Sequence, residues 1–150
     1  MNRNRVSRRL ASVAAIAVLG AALHGCGQRL AESDVPYAAP LLDNLLTGLA
    51  ERDYGKFSTS FSPAMKDALG EGAFSSMVAH LEETLGEYRG RTFLRAVRAR
   101  AATGGRVDVL AYRAEYSRDS GATMMIYISD LDGKKMVEGL AITPSGGAKK

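Results

Sequence analysis

Acid–base chemistry would need a carboxylate or an imidazole in an apolar pocket, with hydrogen-bond donors facing the oxygen on which charge develops. The sequence offers Asp53 as a base, and Tyr112 and Tyr116 as donors that share one face of a strand pattern. Asp53 is nonetheless typical of a helix cap, and strand tyrosines are typical of a core with hydroxyls at its rim. Glu115 falls on the opposite strand face, so we expect it to be solvated. Because no catalytic motif is present in the sequence, we do not predict an enzyme, and a small isomerase or lyase stays as an alternative.

Metal-binding side chains are scarce in the sequence. Cys26 is the only cysteine, and His80 is the only histidine that follows it. This inventory excludes disulfides after Cys26, and it excludes the usual nitrogen and sulfur ligand sets for zinc. His80 adjoins the apolar stripe of a helix pattern, so we expect a helix-edge histidine with a satisfied hydrogen bond. No metal and no cofactor are predicted.

A short apolar leader precedes Cys26. Arg3, Arg5, Arg8 and Arg9 come first, an apolar run over residues 10–23 follows, and Leu23-His24-Gly25 leads directly into the cysteine. About 14 apolar residues are too few for a helix to cross a bilayer, which takes roughly 20. The arrangement resembles a bacterial lipoprotein signal, with residues 1–25 as the signal peptide. The resemblance implies that the chain is cut before Cys26 and that this cysteine is acylated on its sulfur and its new amine.

The predicted acylation sets the predicted location. Two or three acyl chains hold a protein stably at a membrane, whereas one chain is marginal. The resemblance therefore implies a lipid-anchored protein of the cell envelope that faces the periplasm or the exterior. The non-acidic Gly27 implies the outer membrane if the cell is Gram-negative. An ordinary secretory peptide that leaves Cys26 free, and a twin-arginine signal at residues 7–9, stay open as alternatives.

The charge balance argues against nucleic acid as a partner. The chain has 20 Lys and Arg against 16 Asp and Glu, a formal net charge of +4. The four arginines of the leader account for the whole excess, so the chain from Cys26 onward is formally neutral. Nucleic-acid binding depends on clustered excess Lys and Arg. We interpret the arginines between Arg89 and Arg100 as a solvated strand face balanced by Glu82, Glu83 and Glu87.

Periodicity after Cys26 predicts a single α+β domain. We interpret residues 26–36 as the lipidated cysteine and a tether, residues 37–144 as the domain, and residues 145–150 as a flexible tail. Apolar spacings of three and four predict a helix from about Tyr37, a short helix that begins at Ser62-Pro63, and another that ends near Gly86. Alternating runs predict four antiparallel strands, at about residues 92–101, 107–117, 122–129 and 135–143. We therefore expect N-terminal helices packed on one side of a four-stranded antiparallel sheet.

Four segments carry a resemblance to a known superfamily. They are residues 45–54 (LLTGLAERDY), Phe57 with residues 61–65 (FSPAM), residues 85–88 (LGEY) and residues 137–140 (VEGL). In this order they resemble the nuclear transport factor 2-like superfamily, and in particular a bacterial branch of extracytoplasmic domains. The resemblance covers residues 37–144 and implies a curved, cone-shaped sheet of the cystatin-like α+β type, with a pocket at its open end. Members range from isomerases and dehydratases to binding and dimerisation modules, so this fold does not choose an activity.

Two sets of side chains are candidates for function. The candidate pocket is aromatic and consists of Tyr54, Phe57, Phe61, Tyr112 and Tyr116. The candidate interface is an apolar row on the other strand faces, predicted to be exposed, and consists of Val107, Val109, Ala111, Met125 and Tyr127.

Two non-catalytic functions fit these sets. The first is a lipid-anchored binding module, whose pocket takes a small apolar ligand or whose sheet docks an envelope protein. The second is a self-associating envelope scaffold, a homodimer formed through the apolar row. The expected partners are the membrane, through acylated Cys26, and a small ligand, an envelope protein or a second copy.

Overall fold

The computed structural model describes residues 24–101 and 104–146. In chain order these form β1 (His24–Leu30), a 3-10 helix (Glu32–Asp34), α1 (Ala38–Glu51), α2 (Tyr54–Phe57), α3 (Pro63–Ala68), α4 (Glu71–Thr84), β2 (Tyr88–Arg100), β3 (Arg106–Tyr116), β4 (Ala122–Leu131) and β5 (Lys134–Thr143). The predicted α+β class is confirmed, with one antiparallel sheet in the order β1-β2-β3-β4-β5. The predicted count of four strands is wrong, because the described residues contain five. The predicted signal peptide lies outside the described residues apart from its last two positions, as does the predicted tail from residue 147.

The additional strand, β1, consists of the last two residues of the predicted signal peptide and the first five residues of the predicted tether. Its backbone pairs with β2, with Gln28 opposite Arg98 and Leu30 opposite Ala96. An edge strand of this kind is held by backbone hydrogen bonds, so its sequence needs no alternation of apolar and polar residues. The predicted tether is therefore part of the domain, and Val35, which follows β1, is buried in the core.

The first long helix, α1, packs as its spacing predicts. Its core-facing stripe consists of Leu42, Leu45, Leu46 and Leu49. Gly48 lies beside this stripe and allows α2 to approach closely, since a Cβ at this position would lie 2.3 Å from the backbone nitrogen of Phe57. The contact between α1 and α2 therefore depends on a glycine at position 48.

Two polar side chains begin the short helices. The Asp53 carboxylate accepts a hydrogen bond from the backbone N–H of Lys56 at 3.0 Å and caps α2. The Ser62 hydroxyl oxygen accepts one from the backbone N–H of Met65 at 3.2 Å, and Pro63 occupies the first turn of α3. The predicted cap at Ser62-Pro63 is confirmed.

A tight hairpin joins the last two strands of the sheet, and a short β-bridge joins the sheet to the helical region. Asp132 and Gly133 have φ angles of 54° and 80°, which confirms the predicted turn between β4 and β5. Phe61 forms a parallel bridge with Val137 of β5, and the backbone N–H of Ser62 donates to the Val137 carbonyl at 3.0 Å. This bridge joins the segment between α2 and α3 to the edge strand β5.

The main core lies between the helices and the inner face of the sheet. Its largest fully buried side chains include Phe57, Phe61, Phe74, Leu42, Leu110, Met124 and Ile126. Full burial of one such side chain contributes about 1.5–3 kcal/mol, so the helices and the sheet stabilise each other. Among the described residues, no helix has the length and hydrophobicity needed to cross a membrane.

Candidate functional site

The five aromatic side chains of the candidate pocket divide into separate contacts. Phe57 packs against Phe61 and Phe74, with ring centroids 4.9 and 4.6 Å apart. Tyr54 also packs against Phe74, at 5.6 Å, and its hydroxyl donates to the Leu69 carbonyl oxygen at 2.8 Å. These side chains are core contacts among α2, α3 and α4, so the prediction of one shared aromatic pocket is wrong for Phe57 and Phe61.

The two strand tyrosines share a face, as predicted, but have different surroundings. Tyr112 packs edge-on against Phe93 with ring centroids 5.6 Å apart, and the Arg91 guanidinium lies 5.8 Å from the centre of the Tyr112 ring. Tyr116 packs edge-on against Tyr88, also at 5.6 Å. Both tyrosines are buried, at 4% exposure. Of the two, Tyr116 lines a cleft.

This cleft lies between α1, α4 and the adjoining ends of β2 and β3, and its volume is about 320 Å³. We call it the Tyr116 cleft. Its apolar wall consists of Leu49, Ala50, Val78 and Leu81, and its polar side consists of Glu82, Glu87, Tyr88 and Tyr116. Clefts of this size, apolar with a few polar groups, are typical of small-molecule sites.

Among the residues that line this cleft, Tyr116 has an unusual hydroxyl group. Its oxygen is buried, and among the described residues it has no hydrogen-bond partner. Burial, with a smaller contribution from Tyr88, raises the pKa of Tyr116 to about 12, so the hydroxyl stays protonated at neutral pH. A buried polar group without a partner costs about 1–3 kcal/mol. Tyr116 therefore holds a neutral donor that the fold itself does not use.

Two carboxylates, Glu82 and Glu87, belong to the residues that line this cleft. Glu82 is paired with Arg52, whose Nε donates to Glu82 Oε1 at 3.2 Å while Nη2 bonds to Oε2. Both side chains are largely exposed, so this ion pair adds little to stability. Glu87, the other carboxylate of the lining, is exposed. Because Arg52 compensates Glu82, Glu87 is the cleft carboxylate without an ion pair among the described residues, and its charge disfavours an anionic ligand.

A second polar cluster, absent from the sequence-based candidates, lies on the inner face of β3. Asp108 is 5% exposed, and its carboxylate accepts from Arg98 Nε at 2.7 Å and from Arg98 Nη2 at 3.0 Å. The Tyr37 hydroxyl donates to the same carboxylate, and the Lys135 Nζ lies 4.8 Å from the centre of the Tyr37 ring. The pattern VDVL at residues 107–110 contained the signal, because its carboxylate stands on the strand face of Leu110 and Tyr112.

The pKa shifts in this cluster indicate whether the Asp108 carboxylate could act as a base. Burial alone would raise the pKa of Asp108, but the hydrogen bonds from Arg98 and Tyr37 outweigh burial and hold that pKa below its usual value. Burial, followed by the bond to Asp108, raises the pKa of Tyr37. A carboxylate with a depressed pKa and a bidentate partner is a weak base. The cluster is therefore suited to fixing α1 on the sheet rather than to proton transfer.

The remaining acid–base candidates lie apart from an apolar pocket. Asp53 is exposed and caps α2, as its residue type indicated. Glu115 is exposed, as predicted. His80 differs from expectation, since its Nε2 is buried and has no hydrogen-bond partner among the described residues. Among these residues, no group of three potential metal ligands occurs.

The arginines of β2 have other partners than those predicted. Arg91 pairs with Asp43 of α1, with Nη2 and Oδ1 2.7 Å apart, and Arg98 pairs with Asp108. The acidic partners thus come from α1 and β3 rather than from Glu82, Glu83 and Glu87. Sequence proximity misled here because an antiparallel sheet brings distant positions together.

The candidate interface residues lie together on the outer face of β3 and β4. Val109 is opposite Tyr127, and Ala111 is opposite Met125. The predicted exposure is wrong for three of them, since Val107, Val109 and Ala111 are 4%, 9% and 4% exposed. The larger Met125 and Tyr127 pack against Val107 and Val109 and are themselves half-buried.

Comparisons of the chain with protein-family models, with curated proteins and with solved structures found no match. The geometry of the Tyr116 cleft and of the Asp108 cluster is therefore the basis for assigning a function.

Proposed function

We propose that this chain is a lipid-anchored, extracytoplasmic and non-catalytic binding module. Its ligand is a small, mostly apolar molecule that is neutral or cationic and carries one hydrogen-bond acceptor. It binds in the Tyr116 cleft. Acylated Cys26 holds the module in the cell envelope, in the outer membrane if the cell is Gram-negative.

One observation carries the proposal: Tyr116 lines a partly apolar cleft, and its protonated hydroxyl is buried without a partner among the described residues. Leu49, Val78 and Leu81 supply apolar contact. The Tyr116 hydroxyl supplies a hydrogen-bond donor that is already desolvated in the folded protein. A ligand acceptor that reaches this hydroxyl through a small shift of the cleft lining gains a bond without further desolvation of the hydroxyl. The Glu87 carboxylate in the cleft lining discriminates against anions.

The fold proposal is finer than the α+β class. The order of helices and meander supports a member of the nuclear transport factor 2-like superfamily, with a strand added at the β2 edge. In a cone of that type the Tyr116 cleft opens between the helices and the concave face of the sheet.

Native mass spectrometry of the protein, extracted from membranes in mild detergent, tests the binding function. The intact mass reports acylation at Cys26, and a bound small molecule adds a defined mass. We expect this added mass in the wild type and in Tyr112→Phe, whose hydroxyl lies outside the cleft. In Tyr116→Phe the loss of the donor weakens the ligand by about tenfold or more, so the added mass largely disappears. A wild type without added mass, or an adduct equally retained by Tyr116→Phe, would contradict the proposal.

Self-association through the outer sheet face is the second candidate. Met125 and Tyr127 favour it, because they are half-exposed beside a buried apolar patch. The patch itself is already covered, so a dimer gains apolar burial mainly from these two side chains. A dimer in the same mass spectra that Tyr127→Ser abolishes would support this candidate over a monomeric binder.

A further inference from the structure

Four cationic side chains meet at the end of the sheet where β2 turns into β3. Arg98, Arg106 and Lys135 line a cleft of about 290 Å³ together with Asp108 and Asp130. An adjoining cleft of about 270 Å³ is lined by Arg98, Arg100 and Arg106, with Gln28 of β1. Because the two clefts share Arg98 and Arg106, we treat them as one surface and call it the basic cleft.

The carboxylates of the basic cleft already have partners. Asp108 is held by Arg98 through two hydrogen bonds, and Asp130 lies 3.2 Å from the Lys135 Nζ. Across residues 24–101 and 104–146, the ion pairs include neither Arg100 nor Arg106. These two arginines therefore hold the uncompensated positive charge of the cleft.

Arg100 and Arg106 also stand directly opposite each other on β2 and β3, and both are exposed. Like charges at opposite positions of an antiparallel pair destabilise the sheet. An anion bound between the two guanidinium groups would remove this repulsion, and phosphate oxygens match the fork of N–H donors on each group. The register thus favours a phosphate group as the ligand of this pair.

The position of Cys26 indicates where such a phosphate comes from. In β1, Cys26 lies two residues before Gln28, which is opposite Arg98 and lines the basic cleft. Neighbouring strands are about 4.8 Å apart. An acyl group on Cys26 therefore brings the edge of the basic cleft to the surface of the membrane, within reach of the lipid headgroups.

We propose that the basic cleft binds the headgroup phosphate of an anionic phospholipid, through Arg100 and Arg106, and so orients the anchored domain on its membrane. The anchor and the headgroup contact together fix the β1–β2 edge against the bilayer. The Tyr116 cleft, at the other end of β2, then faces away from the lipid surface. This inference rests on the proposed acylation of Cys26, but it does not depend on the ligand of the Tyr116 cleft.

The test is a lipid titration of the membrane-extracted protein, read by native mass spectrometry with phosphatidylglycerol and with phosphatidylcholine. We expect tight binding of one phosphatidylglycerol and weak binding of phosphatidylcholine. Removing both side chains in Arg100→Ala/Arg106→Ala should weaken phosphatidylglycerol binding by roughly thirty-fold. The matched control, Arg89→Ala/Arg113→Ala, removes two exposed arginines at the other end of the same strands and should bind like the wild type.

Three results would overturn the proposal. Equal phosphatidylglycerol binding by both double variants would mean an adventitious lipid only. Displacement of the lipid by millimolar inorganic phosphate would indicate a site for free phosphate. An intact mass without acyl chains would remove the anchor on which the orientation depends. The small-molecule adduct of the Tyr116 cleft should persist in Arg100→Ala/Arg106→Ala, so the two proposals fail separately.

Discussion

The Tyr37 hydroxyl, at the start of α1, donates a hydrogen bond to the carboxylate of Asp108, on the central strand of the sheet. Arg98 of the neighbouring strand holds the same carboxylate with two further bonds. One buried anion thus joins the first long helix to two strands. A buried charge is tolerated only when it is paired and hydrogen-bonded. The contributions of Tyr37, Arg98 and Asp108 to stability are therefore interdependent.

Replacing Asp108 by Asn tests this cluster. Asp108→Asn removes the charge that pairs with Arg98 in a buried site, and charge-assisted hydrogen bonds contribute about 1.5–3 kcal/mol. We expect the free energy of unfolding in urea to fall by about 2–3 kcal/mol. The matched control is Asp43→Asn, which breaks the more exposed pair with Arg91 and should cost about 1 kcal/mol or less. Equal losses of unfolding free energy in the two variants would show that the burial of Asp108 does not increase the contribution of this cluster to stability.

Acid should unfold the wild type partly through the same carboxylate. The pKa of Asp108 is lower in the folded protein than its usual 3.8, so the unfolded chain takes up the proton first as the pH falls. The stabilising contribution is complete above the unfolded pKa and is lost as the pH falls through the folded pKa. Below about pH 4, the free energy of unfolding should therefore decline more steeply in the wild type than in Asp108→Asn. Parallel acid profiles for the two proteins would contradict the assigned shift.

Gly48 should be intolerant of any side chain. A Cβ there would lie 2.3 Å from Phe57 N and 2.9 Å from Asp53 O, and backbone atoms cannot move aside cheaply. We expect Gly48→Ala to lower the free energy of unfolding by about 1–3 kcal/mol. Gly72→Ala in α4 is the control, since nothing lies within 4 Å of its Cβ position. This control should be neutral or stabilising by about 0.5–1 kcal/mol, and a loss as large as that of Gly48→Ala would contradict the packing of α1 against α2.

Gly27 should be needed for β1 to pair with β2. A Cβ at this position would lie 2.1 Å from a methyl carbon of Val97, and the β-branched Val97 has little rotamer freedom. We expect Gly27→Val to displace β1 and to lower hydrogen-exchange protection of the amides between Ala96 and Arg100 by roughly tenfold or more. Gly90→Val, on β2 with open space at its Cβ position, should leave this protection unchanged. Unchanged exchange in Gly27→Val would mean that the segment behaves as the tether first predicted.

Strong local patterns made much of the fold predictable. The stripe from Leu42 to Leu49, the Ser62 cap and the Asp132-Gly133 turn each depend on neighbours within a few positions, and the structure has all three. β1 could not be predicted because an edge strand is held by backbone hydrogen bonds to its neighbour. Its sequence therefore needs no alternation of apolar and polar residues. Its pairing with β2 is what defines it as a strand.

The candidate site was less predictable than the fold. The shared strand face of Tyr112 and Tyr116 followed from period-two alternation, but their different surroundings depend on where Phe93 and Tyr88 lie on β2. The hydrogen bond between Tyr37 and Asp108 joins residues that are 71 positions apart in the sequence, with all the long helices between them. Only the unexpected carboxylate in an apolar run pointed to it, and its partners could not be chosen without tertiary structure.

The most direct test of the central claim is the free energy of unfolding of Tyr116→Phe, measured after small molecules have been removed by unfolding and refolding. The proposed function requires that the Tyr116 hydroxyl serves a ligand and not the fold. Tyr116→Phe should therefore be as stable as the wild type, or more stable by up to about 1–3 kcal/mol, because a buried donor without a partner is removed. A loss of about 1 kcal/mol or more, as expected for a buried hydroxyl with a bond inside the protein, would contradict the claim.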